Sequence, residues 1–78
     1  MNNRQKELLR ILLLHEEGAV QIKDLSDDLD CSEKTVRNDL DRLEEFLEES
    51  RAALLRKPGI GISIEIDEPE RTEILRSL

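Results

Sequence analysis

The sequence predicts an α+β domain in which three helices precede a two-stranded hairpin and one helix follows it. Apolar residues recur at helical spacing in the first 50 residues, alternate with a period of two near residue 62, and return to helical spacing after residue 69. A chain of 78 residues makes one small domain. We therefore expect a single domain made of a three-helix core (1–50), a hairpin (52–66) and a C-terminal helix (68–78).

The first two helices are predicted over residues 3–17 and 22–30. Gly18 is a natural stop for helix 1. The segment 19–21 between them is either a short strand or an extended link. Helix 1 has a broad apolar face made by Leu8, Leu9, Ile11, Leu12 and Leu13. The apolar residues of helix 2 fall on one side and are Ile22, Leu25 and Leu29.

The third helix is predicted over residues 33–49, after a turn at 30–32. Asp30 is tolerant of turn conformations, and Ser32 is a good N-cap because its side-chain oxygen can accept a backbone N–H. Cys31 is predicted to be a small, packed thiol in this turn. The helix has a clean apolar stripe made by Val36, Leu40, Leu43 and Leu47.

A hairpin and a last helix complete the predicted elements. Isoleucines alternate with polar residues or glycine over 60–66, which indicates a strand, and 53–57 is a plausible antiparallel partner. Residues 58–61 supply the turn. Pro69 then begins a helix that extends to Leu78. A helix-turn-helix followed by such a hairpin is a winged helix-turn-helix.

Composition excludes several classes of protein and raises one objection. A single cysteine forms no internal disulfide, no apolar run is long enough for a membrane span, and no catalytic, cofactor-binding or metal-ligand motif is present. We therefore predict a cytoplasmic protein that is not an enzyme and binds no cofactor. The net charge of -7 opposes binding to nucleic acid. However, the spans 34–38 and 54–63 contain cations and no acid, so they would form a basic face if they lie side by side.

The candidate site is the start of helix 3. Lys34, Arg37 and Asn38 are spaced three and four apart beyond the Ser32 cap, and arginine and asparagine are the side chains that bind guanine and adenine bidentately. Arg56 and Lys57 at the hairpin tip are suited to phosphate or to the minor groove. The alternative is an ordinary amphipathic helix and a solvated hairpin. The helix-turn-helix spacing and the wing favour binding to double-stranded DNA.

Two strings, SEKTVRNDLDRLEEFL and LLRKPGIGISIE, resemble the N-terminal winged-helix domain of bacterial transcriptional regulators controlled by the sugar phosphotransferase system. These are activators of the mannitol-operon, antiterminator-like or Mga-like type. The first string is shared with DeoR-type sugar repressors, and the second is the more specific. The resemblance implies a regulator of carbohydrate uptake or use, with Thr35, Arg37 and Asn38 on the recognition helix and Arg56 and Lys57 on the wing.

The resemblance also implies departures and missing parts. Asn38 stands where a second arginine is common, and Ser26 and Asp30 replace the usual alanine and glycine, which predicts looser packing between the helices. Family members continue into regulatory domains, so the chain is expected to be the N-terminal part of a longer regulator that forms a homodimer.

The sequence therefore predicts sequence-specific binding of duplex DNA, with no small-molecule ligand and no membrane partner. We expect Lys34, Thr35, Arg37 and Asn38 to face the major groove and Arg42 to reach the backbone. The alternatives are a DeoR-type repressor domain, an acidic winged-helix module that binds a protein, and the regulatory lobe of an enzyme such as a biotin ligase.

Overall fold

The computed structural model describes residues 1–15 and 17–78, and its elements follow the predicted order. The first three helices are α1 (Asn3–Leu14), α2 (Ile22–Leu29) and α3 (Glu33–Glu48). Two strands, β1 (Ala53–Lys57) and β2 (Gly61–Glu65), form an antiparallel hairpin, and α4 (Glu68–Ser77) follows. This arrangement confirms the predicted α+β winged helix-turn-helix.

The first helix is shorter than the sequence predicted. It ends at Leu14, and His15 is already extended, with φ -80° and ψ 103°. The predicted end at residue 17 is therefore wrong, and residue 16 lies outside the described residues. Leu13 is the last buried residue of the helix, and Leu14 and His15, the next two described residues, are both exposed. The other helix ends differ from the predictions by one residue, as is usual at frayed termini.

The aliphatic core lies between the three helices and the inner face of the hairpin. The predicted stripe of α3 is fully buried, and Leu25 of α2 packs against it. Deletion of one such side chain would cost about 2–5 kcal/mol, because the cavity left behind adds to the lost burial. The core is made of Leu8, Leu9, Leu12, Leu13, Leu25, Val36, Leu40, Leu43, Leu47, Leu54, Ile62 and Ile74.

The hairpin, called the wing from here on, is joined to the segment before α2 by backbone hydrogen bonds. Val20 and Ile62 exchange two N–H···O bonds of 2.8 Å, so the segment left open by the sequence is an extended link with one bridged residue. Gly61 makes this approach possible. A Cβ at Gly61 would lie 2.7 Å from the Val20 oxygen, and the φ of +129° disfavours any side chain.

The period-two pattern of the isoleucines extends beyond the second strand. Ile60 belongs to the turn and is 59% exposed, and Ile66 follows the last paired residue. The strand is therefore one residue shorter at each end than the alternating pattern over 60–66, and Ile60 lies in the turn that the sequence placed at residues 58–61. The Ile60 carbonyl accepts a hydrogen bond from Gln21 Nε2 at 2.7 Å, and the Ile60 amide donates one to the Lys57 carbonyl at 2.9 Å. These bonds hold the turn in place of strand pairing.

The last helix begins one residue before the predicted proline. Asp67 is its N-cap and accepts a bond from the Glu70 amide at 2.9 Å. Ile74 is buried, and Leu75 and Leu78 pack against the core. The helix thus covers the open side of α1 with its apolar residues.

Candidate nucleic-acid interface

The start of α3 is fixed by the predicted serine cap. The Ser32 hydroxyl accepts a bond from the Thr35 amide at 3.0 Å and donates to the Thr35 hydroxyl at 2.9 Å. The structure therefore places Thr35 against the cap, half-buried, rather than free on the outer surface. Because the cap ends the turn sharply, the first exposed side chains of α3 project from a defined helix end.

The turn between α2 and α3 is compact despite the two departures noted in the sequence. Ser26 is 7% exposed, and its hydroxyl donates to the Lys23 carbonyl at 2.8 Å, so the extra oxygen is satisfied within α2. Asp30 adopts the left-handed conformation, with φ 52°. Its neighbour Cys31 is partly buried against the core, and its amide bonds to the Ser26 carbonyl at 3.0 Å. The expected looser packing is not seen at these positions.

An ion pair that the sequence analysis missed joins α3 to α1. The Asp39 side chain is 3% exposed and accepts two bonds from the Arg4 guanidinium, one of them Nη2 to Oδ1 at 3.0 Å. Gln5 Nε2 donates to the same carboxylate at 3.1 Å. The available signal in the sequence was that Asp39 lies four residues before Leu43, at a position expected to be buried. A buried acid needs a cationic partner.

This contact also changes the acidity of the carboxyl group. The bonds from Arg4 hold the pKa of Asp39 below its ordinary value of 3.8, although burial acts in the opposite direction, and Gln5 adds to the lowering. The ionised form is therefore favoured in the folded protein. Asp39 therefore lies on the inward side of α3 beside its apolar stripe, and its contact joins this side of the helix to α1.

The outward face of α3 has a strip made by Lys34, Arg37, Asn38 and Asp41, called the outer strip below. All four are exposed. Arg37 lies 3.5 Å from Glu33, an i,i+4 pair in which both side chains are about half exposed. Such a pair is worth only about 0.3–0.5 kcal/mol, so it leaves the guanidinium available to a ligand.

A groove of about 470 Å³ separates the start of α3 from the wing. The structure brings together here the two acid-free spans that the sequence suggested, one in α3 and one at the wing tip. Lys23 of α2, which the sequence analysis did not select, also lines this groove. The charged residues that line the groove are Lys23, Glu33, Arg37, Arg56 and Lys57.

The cations of the predicted site differ in their surroundings. Arg56 Nη2 lies 2.7 Å from Asp41 Oδ1 and 3.7 Å from Glu44 Oε1, and Arg42 lies 3.4 Å from Glu45. Among the described residues, Lys23, Lys34 and Lys57 form no ion pair. The lysines are thus the cations most accessible to an anion, whereas Arg42 and Arg56 already have acidic partners.

Comparison with known proteins agrees with this geometry. A family model described as an HTH domain matches residues 4–63, which include the three helices and most of the wing. The chain belongs to this family. The domain is also 46% identical over 79 residues to "Transcriptional regulator ManR" of Bacillus subtilis (strain 168), an alignment that covers 100% of this chain and 12% of that protein.

The helix-turn-helix domain therefore spans about an eighth of the length of that relative. No solved structure matches the chain. These findings confirm the prediction of a helix-turn-helix domain of the transcriptional-regulator type. Across residues 1–15 and 17–78, no helix has the length and apolar character needed to span a membrane.

Proposed function

We propose that this domain binds duplex DNA sequence-specifically, as the DNA-binding part of a bacterial cytoplasmic regulator of carbohydrate uptake or use. The observation that carries the proposal is the capped start of α3, which exposes Lys34, Arg37 and Asn38 beside a cation-lined groove and a wing. A helix enters the major groove with such residues near its N-terminus. The match to an HTH domain and the likeness to a transcriptional regulator support the same role.

The outer strip supplies the contacts to bases. Arg37 has the planar fork of donors that suits the O6 and N7 atoms of guanine, and Asn38 has the donor and acceptor that suit adenine. Lys34 binds a phosphate or a guanine at the edge of the strip. Thr35 stabilises the cap at the start of the helix, where its hydroxyl accepts a bond from Ser32.

The groove and the wing supply the contacts to phosphate. Lys23 and Lys57 both line the groove, and each carries a charge that no described acid pairs. Arg42 lies on the far side of the strip and reaches the backbone only if its exposed, 3.4 Å pair with Glu45 opens, which costs little. Few phosphate contacts give a shallow dependence on salt, with a slope of roughly -0.9 per contact.

The acidic charge of the domain limits its affinity when it acts alone. A net charge of -7 repels DNA at long range, so a single domain binds weakly. In a homodimer, two linked domains bind two half-sites, and the second binding event becomes intramolecular. The proposed whole regulator is therefore a homodimer, and this domain needs neither a small-molecule ligand nor catalysis for its part.

The test compares Arg37→Ala with Glu48→Ala, a charged residue at the other end of the same helix. The duplex is selected by the wild-type domain from a randomised pool, and binding is followed by fluorescence anisotropy at low salt. Loss of a bidentate base contact is expected to weaken binding of Arg37→Ala about ten- to hundredfold. Glu48→Ala keeps or slightly improves the wild-type affinity.

Equal, small effects of the two variants would contradict the proposal. Failure of the wild-type domain to select any duplex would favour the other interpretation of the acidic surface, a module that binds a protein. The DNA upstream of the neighbouring operon is a second probe in the same assay.

A further inference from the structure

One arginine of the wing, Arg56, lines the groove but has its guanidinium paired with acids of α3. Arg56 is two residues after Leu54 on β1, so both side chains leave the strand on the same face, and Leu54 is buried on the side of α3. The Arg56 guanidinium reaches Asp41 at 2.7 Å and approaches Glu44. Its side chain is 32% exposed, about half the exposed fraction of its partner Asp41.

The acidic partner of Arg56 belongs to the outer strip. Asp41 is three residues after Asn38 and four after Arg37, so the three side chains are neighbours on one side of the helix. The pair therefore connects the strip proposed to contact bases directly with the strand that leads to the wing tip. Lys57, the wing cation next to the turn, is the next residue along β1.

The other connections of the wing tip are on the opposite side of the hairpin. Val20 bonds to Ile62 on β2, and Gln21 bonds to the Ile60 carbonyl in the turn. Both attach the wing to the segment that begins α2. At the outer end of β1, the pair between Arg56 and Asp41 is the polar connection to α3 in the part of the chain that the structure describes. A two-stranded hairpin is flexible by itself, so its angle to α3 depends on both attachments.

We propose that Arg56 is a positioning residue for DNA binding. Its pair with Asp41 sets the distance between the outer strip and Lys57, so that base contacts and the wing's phosphate contact are made together. Arg56 then acts through Asp41 rather than by touching phosphate. This inference rests on the proposed function. It also assigns to Asp41 a favourable effect on specificity through Arg56, even though a carboxylate by itself repels the phosphates of DNA.

The experiment is a double-mutant cycle with Arg56→Gln, Asp41→Asn and the double variant. Each protein is measured against the selected duplex and against an unrelated duplex of equal length, over a series of salt concentrations. The ratio of the two affinities is the main readout, because a general change in charge alters both affinities alike and cancels. Arg76→Gln and Glu73→Gln are the matched controls, since that exposed pair lies on α4, away from the strip.

Each single variant is expected to lower the specificity ratio about two- to fivefold, the range that an exposed ion pair accounts for. The double variant is expected to lose no more than either single variant, because both remove the same contact. The salt slope of Arg56→Gln stays within a fraction of one phosphate contact of the wild-type slope. The control variants leave the ratio unchanged.

Two results would overturn the inference. A salt slope shallower by about 0.9 in Arg56→Gln, with no loss of specificity in Asp41→Asn, would make Arg56 a phosphate contact. A gain in affinity of Asp41→Asn for both duplexes at an unchanged ratio would make Asp41 a mere counter-ion.

The inference and the proposed function fail in different ways. If the wild-type domain selects no duplex, the proposed function fails. If it selects one that Arg37→Ala binds poorly, while the cycle leaves the ratio unchanged, only the role of Arg56 fails. Circular dichroism of each variant confirms that it is folded before binding is compared.

Discussion

Two aspartates of α3, Asp39 and Asp41, are two residues apart and form the same kind of bond in opposite surroundings. Asp39 faces α1, is 3% exposed and is held by Arg4. Asp41 faces the wing, is 65% exposed and is held by Arg56. Both pairs join α3 to another element through an arginine and a carboxylate, so they differ mainly in burial.

Burial decides what each pair contributes. Around Asp39, water cannot replace a lost partner, so the carboxylate depends on its bonds from Arg4 and Gln5. Around Asp41, water solvates the carboxylate as well as the guanidinium does, so the pair adds little to folding. The inner pair thus stabilises the domain and joins α3 to α1, whereas the outer pair adds little to folding and is proposed to affect the geometry of binding.

The largest expected effect is on the stability of Asp39→Asn. The amide keeps the shape of the side chain but loses its charge and presents N–H groups toward Arg4. We expect a loss of about 2 kcal/mol in the free energy of unfolding, the range for charged hydrogen bonds. Urea unfolding followed by circular dichroism measures it. A variant Asp39→Asn that is as stable as the wild type would contradict the conclusion that the buried pair contributes more to folding than the exposed one.

The next largest effect is a pH dependence of the free energy of unfolding that is caused by the ionisation of Asp39. Because its pKa is lowered in the folded protein, its stabilisation is complete above the ordinary value of 3.8 and is lost as the pH falls through the lower, folded-state pKa. The difference in unfolding free energy between wild type and Asp39→Asn should therefore be constant near neutrality and shrink below about pH 4.

Urea titrations of both proteins at a series of pH values test this expectation, and Asp41→Asn is the matched control. The difference between wild type and Asp41→Asn should stay near zero over the same range. A difference for Asp39→Asn that persisted unchanged in acid would show that the carboxylate charge is not what stabilises the contact.

The smallest expected effect is on the stability of Asp41→Asn. An exposed pair is worth little, so the free energy of unfolding should change by less than about 0.5 kcal/mol. The measurement is the same urea transition. A loss as large as that of Asp39→Asn would show that the wing is part of the folding core, and the two aspartates would then be equivalent.

Much of the fold could be predicted because local patterns coincide with tertiary burial. The stripe from Val36 to Leu47 has one period and one buried face, and Ser32 has an unambiguous role as a cap. The end of α1 was predicted wrongly because Gly18 is a strong stop signal, whereas the helix ends at Leu14, one residue after its last buried side chain, Leu13. The sequence left Ile60 in both the alternating pattern and the turn at 58–61, and in the structure the bond from Gln21 holds it in the turn.

The candidate site was predictable in its residues and less so in their partners. Lys34, Arg37 and Asn38 are exposed on α3 as expected, because helical spacing alone fixes a face. Lys23 was missed because its proximity to the wing arises only when Val20 pairs with Ile62. The partner of Arg56 was also missed, because Asp41 and Arg56 are far apart in the sequence and meet only when β1 packs against α3.

The sequence by itself determined the helices, the hairpin, the cap and the strip of long donors, because each follows from spacing and residue type within a few positions. Only the tertiary structure decided which cations are paired and which are free, because a charge is neutralised by neighbours in space. Lys57 and Arg56 are adjacent on one strand, yet only Arg56 has an acidic partner among the described residues. Asp39 and Asp41 are two residues apart on one helix and both are paired, but only Asp39 is buried.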